Sequence, residues 1–441
     1  RPLRQLDQSI RQLGSGQLTS AVSVSGPRDL EDLGRRLNWM RERLLDLENQ
    51  KTTFLRHMSH ELKTPLASLR EGSELLRDEV LGNLNKDQAE VVELLRHNSV
   101  QLQKLIDNLL KTTIMAATEK LNKPWCLSVF KDNAGVVDFD GDHAVCFKAE
   151  THNHPSAVEP YGGAATGLGG VVRDVLGTGL GAKPILNTDV FCFADPATPS
   201  ASVPFGVLHP RRVFKGVRAG VADYGNRLGI PTINGTLRFD DRYLGNPLVF
   251  CGTVGIMPSW AAPQGMQNSG DLVVLMGGRT GRDGIHGVTF ASEKLDEDSV
   301  SASRSAVQIG NPIVEKKVID VLMQARDRRL YRRITDCGGG GLSSAVGEMG
   351  EKTGVKVHLD RVPLKYAGLS YDEIWVSESQ ERMTVAIHPD DRDRFFELSR
   401  QHAVESTVIG RYTDSGKLHI SYDGKTCAYM DLDLLESGFP Q

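Results

Sequence analysis

Paired cysteines are missing from this sequence: its six, at positions 126, 146, 192, 251, 337 and 427, form no CxxC unit and no metal-ligand spacing. That excludes the common zinc-site patterns and argues against a disulfide frame, so reduced thiols in a cytoplasmic protein are expected. An excess of basic charge is also absent. With 52 Lys and Arg against 56 Asp and Glu the net charge is -4, and no general basic field exists to draw nucleic acid or an acidic membrane surface. No apolar stretch reaches the roughly 18 residues that a membrane-spanning helix requires. The start, Arg1, Pro2, Leu3, has neither an initiator methionine nor a signal peptide, and an N terminus cut from a longer protein is expected.

What is present divides in two. A chain of 441 residues suggests roughly two to four compact units. Only 6 of the 45 glycines and none of the cysteines lie in the first 110 residues. Up to Leu110, Leu, Arg, Glu and Gln recur at helical spacing, with Leu3, Leu6, Ile10 and Leu13 on one stripe. After Thr112, short β-like runs (Ala144 to Phe147, Leu272 to Met276, Met383 to Ile387) alternate with glycine-rich turns and amphipathic helices, the pattern of α/β or α+β domains.

In the helical half, residues 1–20 read as a short helix and residues 21–28, with Gly26 and Pro27, as a connector. Asp29 opens a second helix through Leu30, Leu33, Leu37, Met40 and Leu44. Neither helix can bury its stripe alone, so a dimeric four-helix coiled coil is the economical arrangement. Pro2 and the region from Gly14 to Pro27 resemble a HAMP signalling domain. Further on, His57, Met58, Ser59, His60, Glu61, Leu62, Lys63, Thr64 and Pro65 place an imidazole beside a carboxylate, with Thr64 on the helical face of His60. A carboxylate can orient an imidazole and make it more nucleophilic. Pro65 removes the backbone donor that would reach residue 61, so a bend is expected there. A histidine next to a glutamate is, by itself, most often a solvated helix face.

The full run resembles the phospho-acceptor box of sensor histidine kinases. The flanking pattern fits a hairpin: helix to about Val80, a turn around Gly82 to Lys86, then Val91, Leu94, Leu95, Leu102, Leu105, Ile106, Leu109 and Leu110 on a returning helix. The resemblance covers residues 1–111. It implies that His60 accepts a γ-phosphoryl group, that Glu61 assists proton removal, and that Thr64 helps place water for dephosphorylating a response regulator. His57, one turn earlier, is the competing acceptor. The family's ATP-binding kinase catalytic domain follows this hairpin, and its asparagine and glycine-rich boxes are not recognisable after residue 111. Autophosphorylation is therefore expected to fail. The family's transmembrane helices are expected upstream, which makes this part the cytoplasmic portion of an inner-membrane protein.

The glycine-rich half is densest in chemistry from Phe147 to Asp174. Lys148 offers a point charge for phosphate, Glu150 and Asp174 can hold magnesium, and glycines 162, 163, 167, 169 and 170 either let backbone amides face an anion or serve close packing. A strand ending in Lys148 to Glu150, a loop through His152 and a helix near Val171 to Leu176 would bring these groups together. His152 and His154 have the spacing of a transition-metal pair, but no third ligand lies nearby in sequence.

The run resembles formylglycinamidine ribonucleotide synthetase, which uses ATP to turn an amide into an amidine. Further segments follow in the family's order: Gly281 to Gly287, Val307 to Pro312, Thr335 to Gly341, and Ser377 to Met383. The resemblance covers about residues 113–441 and implies one aminoimidazole-ribonucleotide-synthetase-like module. It places Lys148 at ATP and Glu150, Asp174 and Asp336 at magnesium. Thr151, His152, Asn153, His154, Arg173, Gln308, Glu378, Ser379 and Gln380 fall around the substrate, and His152 is the implied catalytic histidine. Ammonia would come from a glutaminase partner, and the family's second module is missing.

The expected architecture is multidomain: HAMP-like, 1–48; an all-α dimerisation and histidine-phosphotransfer hairpin, 49–111; a synthetase-like sheet domain, 112–262; and an α/β domain, 263–441. A homodimeric fusion, with the synthetase module mainly a carrier, is the leading expectation, and whether either half is an active enzyme is left open. Two others stand beside it: a module that binds ATP and phosphorylates His60, and a purine-biosynthesis enzyme with a helical regulatory extension.

Overall fold

The computed structural model describes residues 84–285 and 310–433, with short stretches between 27 and 76. His60, Glu61, Thr64 and Gln308 lie outside the described residues, as does most of the HAMP-like region. The chain divides into two units, Arg1–Pro124 and Trp125–Gln441.

In the first unit, Asn85 starts helix α1, Lys86–Leu121. The Asn85 side chain accepts the Gln88 N–H and the Gln88 side chain accepts the Asn85 N–H, both at 2.9 Å, a reciprocal cap that satisfies two orphan donors. The helix runs without a break through residues 111–115 and ends where Asn122 turns left-handed, with Pro124 beyond it. Val92, Ser99 and Ile106, seven residues apart, are buried, while Val91, Leu95, Leu102, Leu105 and Leu109 form an exposed heptad stripe. Among the described residues, no helix is long and apolar enough to cross a membrane.

The second unit holds two sheets. The first is built from β1 (Cys126–Ser128), β2 (Gly135–Asp138), β3 (His143–Thr151), β4 (Lys183–Phe193), β5 (Thr232–Phe239) and β6 (Leu248–Pro258), in the order β1-β2-β3-β6-β4-β5. Helices α2 (Asn153–Val158), α3 (Pro160–Leu176) and α4 (Pro210–Leu228) interrupt it. Helices α3 and α4 cover one face, where Leu168, Val172, Val217 and Val221 share a core with Phe193, Val249 and Cys251. The opposite face carries Val145, Phe147, Phe250, Val254 and Ile256, all half-buried or exposed.

The second sheet joins β7 (Leu272–Gly277), β8 (Arg333–Asp336), β9 (Val355–His358), β10 (Arg382–Ile387), β11 (Ser406–Tyr412), β12 (Lys417–Tyr422) and β13 (Lys425–Asp431). Their order is β13-β12-β9-β11-β7-β10-β8. Central strands β7 and β10 read as continuous apolar runs because both faces are covered. The helices here are α5 (Pro312–Asp327), α6 (Leu342–Gly350), α7 (Tyr371–Val376) and α8 (Arg392–Gln401). Leu272, Val274 and Met276 pack with α5 and α8, whereas Val273 and Leu275 pack with α6.

The helix expected near Val171 to Leu176 is longer than the sequence suggested. It begins at Pro160 and takes in all five glycines of the 162–170 series, whose N–H groups beyond the first turn are engaged in the helix rather than free to cradle an anion. Close packing is what Gly163, Gly167 and Gly169 provide.

Candidate active site

Strand β3 alternates, so Lys148 and Glu150 share the face beneath α3 with the buried Ala144 and Cys146. The strand ends at Thr151, and the loop that follows is fastened to β6. The His152 N–H donates to the Val249 carbonyl at 2.8 Å, and Asn153 Oδ1 accepts the Val249 N–H at 2.8 Å. Helix α3 admits this loop because of its glycines. A Cβ at Gly163 would lie 2.4 Å from the Pro155 carbonyl carbon, and one at Gly167 would lie 2.8 Å from the His152 Cβ. Burial pushes the His152 imidazole down to about 4, with Glu150 opposing and Arg173 adding to the shift, so the ring is neutral at neutral pH. Among the described residues, the buried His154 Nδ1 and Ser156 Oγ find no hydrogen-bond partner. Thr151 is exposed.

Lys148 Nζ lies 3.0 Å from Glu150 Oε1 and 3.2 Å from Asp174 Oδ2. Burial alone would lower this lysine, but the two carboxylates outweigh it and hold it above its ordinary value. Asp174 is raised well above the usual carboxylate range by burial and by Asp336, with Lys148 opposing. Burial also raises Asp336, against Arg173 and Lys148. Asn133, which sequence reasoning missed, donates from Nδ2 to Asp336 Oδ1 at 3.2 Å. Among the described residues, no three His, Cys, Asp or Glu side chains are gathered tightly enough to hold a metal ion. The donors that do converge are carboxylate oxygens carrying more negative charge than Lys148 offsets, a set chemically suited to magnesium rather than to a softer metal.

The distant motif segments meet around one turn. Buried Arg382 donates to the Ser379 carbonyl at 2.7 Å, to Thr280 Oγ1 at 2.9 Å and to the Ser377 carbonyl. Ser379 Oγ accepts the Gly281 N–H and donates to Asp283 Oδ2, each at 2.9 Å. Gly340 N–H donates to Glu378 Oε1 at 3.1 Å. Arg173 is buried, bonded to Glu315 Oε2 at 2.9 Å and to Gln380 Oε1. Glu315, Tyr224, Glu381 and Arg382 were not singled out as site residues from sequence. Glu315 and Tyr224 read locally as ordinary residues, because their partners lie on elements far away in the chain, and Glu381 and Arg382 lie inside the Ser377 to Met383 segment without a role assigned to them.

The molecule can be set beside known proteins on this geometry. Residues 131–257 match the N-terminal domain, and residues 268–423 the C-terminal domain, of AIR synthase related proteins. Residues 50–115 match the His Kinase A (phospho-acceptor) domain and residues 1–46 the HAMP domain. Phosphoribosylformylglycinamidine synthase subunit PurL of Thermoplasma acidophilum is 45% identical over 319 residues, 72% of this chain and 41% of that protein. The structure of T. maritima PurL complexed with FGAR superposes with a TM-score of 0.62 at 36% identity, covering 72% of this chain and 50% of that one. The T. maritima PurL structure complexed with ATP gives 0.58 at 34% identity, over 70% and 47%. The chain thus spans about two fifths of the curated relative and half of the solved ones. It carries, in order, a HAMP domain, a phospho-acceptor His Kinase A domain and the two AIR synthase related domains, and this last pair is similar to PurL.

Proposed function

We propose that this chain joins the signal-transducing, phospho-acceptor part of a sensor histidine kinase to one ATP-binding module of a formylglycinamidine ribonucleotide synthase, and that the whole is a homodimeric fusion. The observation that carries the synthetase reading is Lys148 held between Glu150 and Asp174, with Asp336 coupled to them. In this reading Lys148 meets the ATP phosphates. Glu150, Asp174 and Asp336 would hold magnesium only together with the ATP phosphates and water, and the ion would supply charge neutralisation for the transferred phosphoryl group. Neutral His152, pinned to β6 and packed on α3, acts at the reacting amide, whose oxygen is phosphorylated before ammonia displaces phosphate. Thr151, Asn153, His154, Arg173, Gln308 and Glu378 to Gln380 surround the substrate, and a glutaminase partner supplies the ammonia. In the helical unit His60 accepts phosphate from a separate kinase domain and passes it to a response regulator, with Glu61 and Thr64 assisting.

Among the described residues, two exposed apolar surfaces support dimerisation: the stripe from Val91 to Leu109 on α1 and the open face of the first sheet. Each offers a second copy the kind of surface that paired helices or packed sheets cover. The test of the site is calorimetric titration of the intact chain with ATP and magnesium. Saturable binding that requires magnesium and is lost in Lys148→Met supports the reading; binding unaffected by that substitution sinks it. Synthetase turnover is not expected from this chain alone.

A further inference from the structure

Arg173 from α3, Tyr224 from α4, Glu315 from α5, and Gln380 and Glu381 ahead of β10 meet in one cluster closed off from solvent. Tyr224 Oη lies 2.8 Å from Glu315 Oε2 and 2.7 Å from Glu381 Oε1. A phenol has one hydrogen. It can be donated to only one of these carboxylates, so the second contact is a hydrogen bond only if that carboxyl carries a proton and donates it to Oη. Without that proton, a carboxylate oxygen would face a hydroxyl lone pair at bonding distance in a buried site, which is costly.

Among the described residues, the remaining neighbours do not replace the missing hydrogen. Arg173 Nη1 donates to Glu315 Oε2 at 2.9 Å, and the Asn311 N–H donates to Glu381 Oε1 at 2.8 Å. Both donors address carboxylates, not the phenol oxygen. Lys365 and Asp336 act on the cluster only at longer range. The backbone is cut to admit the contact: a Cβ at Gly169 would lie 2.7 Å from Tyr224 Oη, and one at Gly310 would lie 2.6 Å from Glu381 Oε1.

We propose that Glu315 and Glu381 hold one proton between them at neutral pH, in addition to the Tyr224 hydroxyl hydrogen, and that this hydrogen-bonded chain positions Arg173 and, through it, Gln380. Burial pushes the Glu315 carboxyl up to about 7, with Arg173 pulling it down and Glu381 pushing it further up. Burial raises Glu381 as well, against Arg173 and Tyr224. The proton belongs to the pair rather than to either residue. That Arg173 and Gln380 serve a substrate rests on the synthetase reading; the shared proton does not.

The test is infrared spectroscopy of the intact chain with carboxyl-labelled glutamate. At neutral pH the wild type should show a protonated-carboxyl stretch that shifts with the label, disappears as pH is raised, and is lost in both Glu315→Gln and Glu381→Gln. Absence of the band from the wild type, or its persistence in both variants, overturns the shared proton. Positioning is read separately from the slowly exchanging guanidinium signal of Arg173 in arginine-labelled protein, assigned with Arg173→Lys. That signal should be lost in Tyr224→Phe; an unchanged signal there overturns the positioning role. Neither readout needs ATP or turnover, so their outcome and that of the synthetase reading are independent.

Discussion

Lys148 stands between Glu150 and Asp174, 3.0 Å from one carboxylate and 3.2 Å from the other, and the two contacts are unequal in weight. The Glu150 side chain is 47% exposed and that of Asp174 only 14%, so the Glu150 contact is largely screened and contributes little. Lys148→Met removes the cation that compensates Asp174 and Asp336. A loss of about 1–3 kcal/mol is expected, since the carboxylates left behind are mostly buried. Glu150→Gln should cost well under about 1 kcal/mol. Denaturant unfolding of the two variants measures the difference, and equal losses would contradict this ranking.

The glycines of α3 make opposite predictions at neighbouring positions. At Gly163 a Cβ would meet the Pro155 and Ser156 backbone at 2.4–2.5 Å, whereas at Gly170 the nearest atom is the end of Arg173 at 4.0 Å. Alanine is the better helix former by about 1 kcal/mol. Gly170→Ala should therefore stabilise by about 0.5–1 kcal/mol. Gly163→Ala should destabilise by about 1–3 kcal/mol, because backbone has to move to admit the methyl group. Thermal unfolding of both variants settles the pair, and a stabilised Gly163→Ala would mean that the loop from His152 to Ser156 yields easily.

How legible this was follows the range of each interaction. Lys148, Glu150 and Asp174 could be linked beforehand, because a strand's two-residue period and one following helix were enough to bring them together. The strands from Leu272 and Met383 were legible as apolar runs, and α1 from its heptad leucines. The glycine series was harder: a loop and a tightly packed helix use the same residue for different reasons. Glu315 and Tyr224 gave no signal. A single glutamate in the first turn of an amphipathic helix normally faces water, and only the fold puts Arg173, 142 positions away, against it.

His152 supplies a pH dependence with a definite sign. Its folded value, about 4, lies below the ordinary histidine value of 6.5, so between these the unfolded chain binds the extra proton. Stability from this group is present above about 6.5 and is lost as pH falls toward 4, by up to about 3 kcal/mol. His152→Asn should flatten that part of the profile, read as unfolding midpoint against pH. A wild-type curve no steeper than that of the variant would show that the ring is as easily protonated folded as unfolded.

Two dimer surfaces in one chain predict redundancy. Leu105, 63% exposed on α1, and Phe147, 44% exposed on the open sheet face, lie in the two different units. If each surface binds its own copy in a partner chain, either Leu105→Glu or Phe147→Asp alone should weaken association without abolishing it, because the remaining contact keeps the second one at high effective concentration. The double variant should be monomeric at micromolar concentration. Mass-resolved light scattering of the four proteins distinguishes the cases. A monomeric Leu105→Glu would leave the helical stripe as the sole dimer contact and require another cover for the sheet face. A double variant that stays dimeric would place the interface on neither surface.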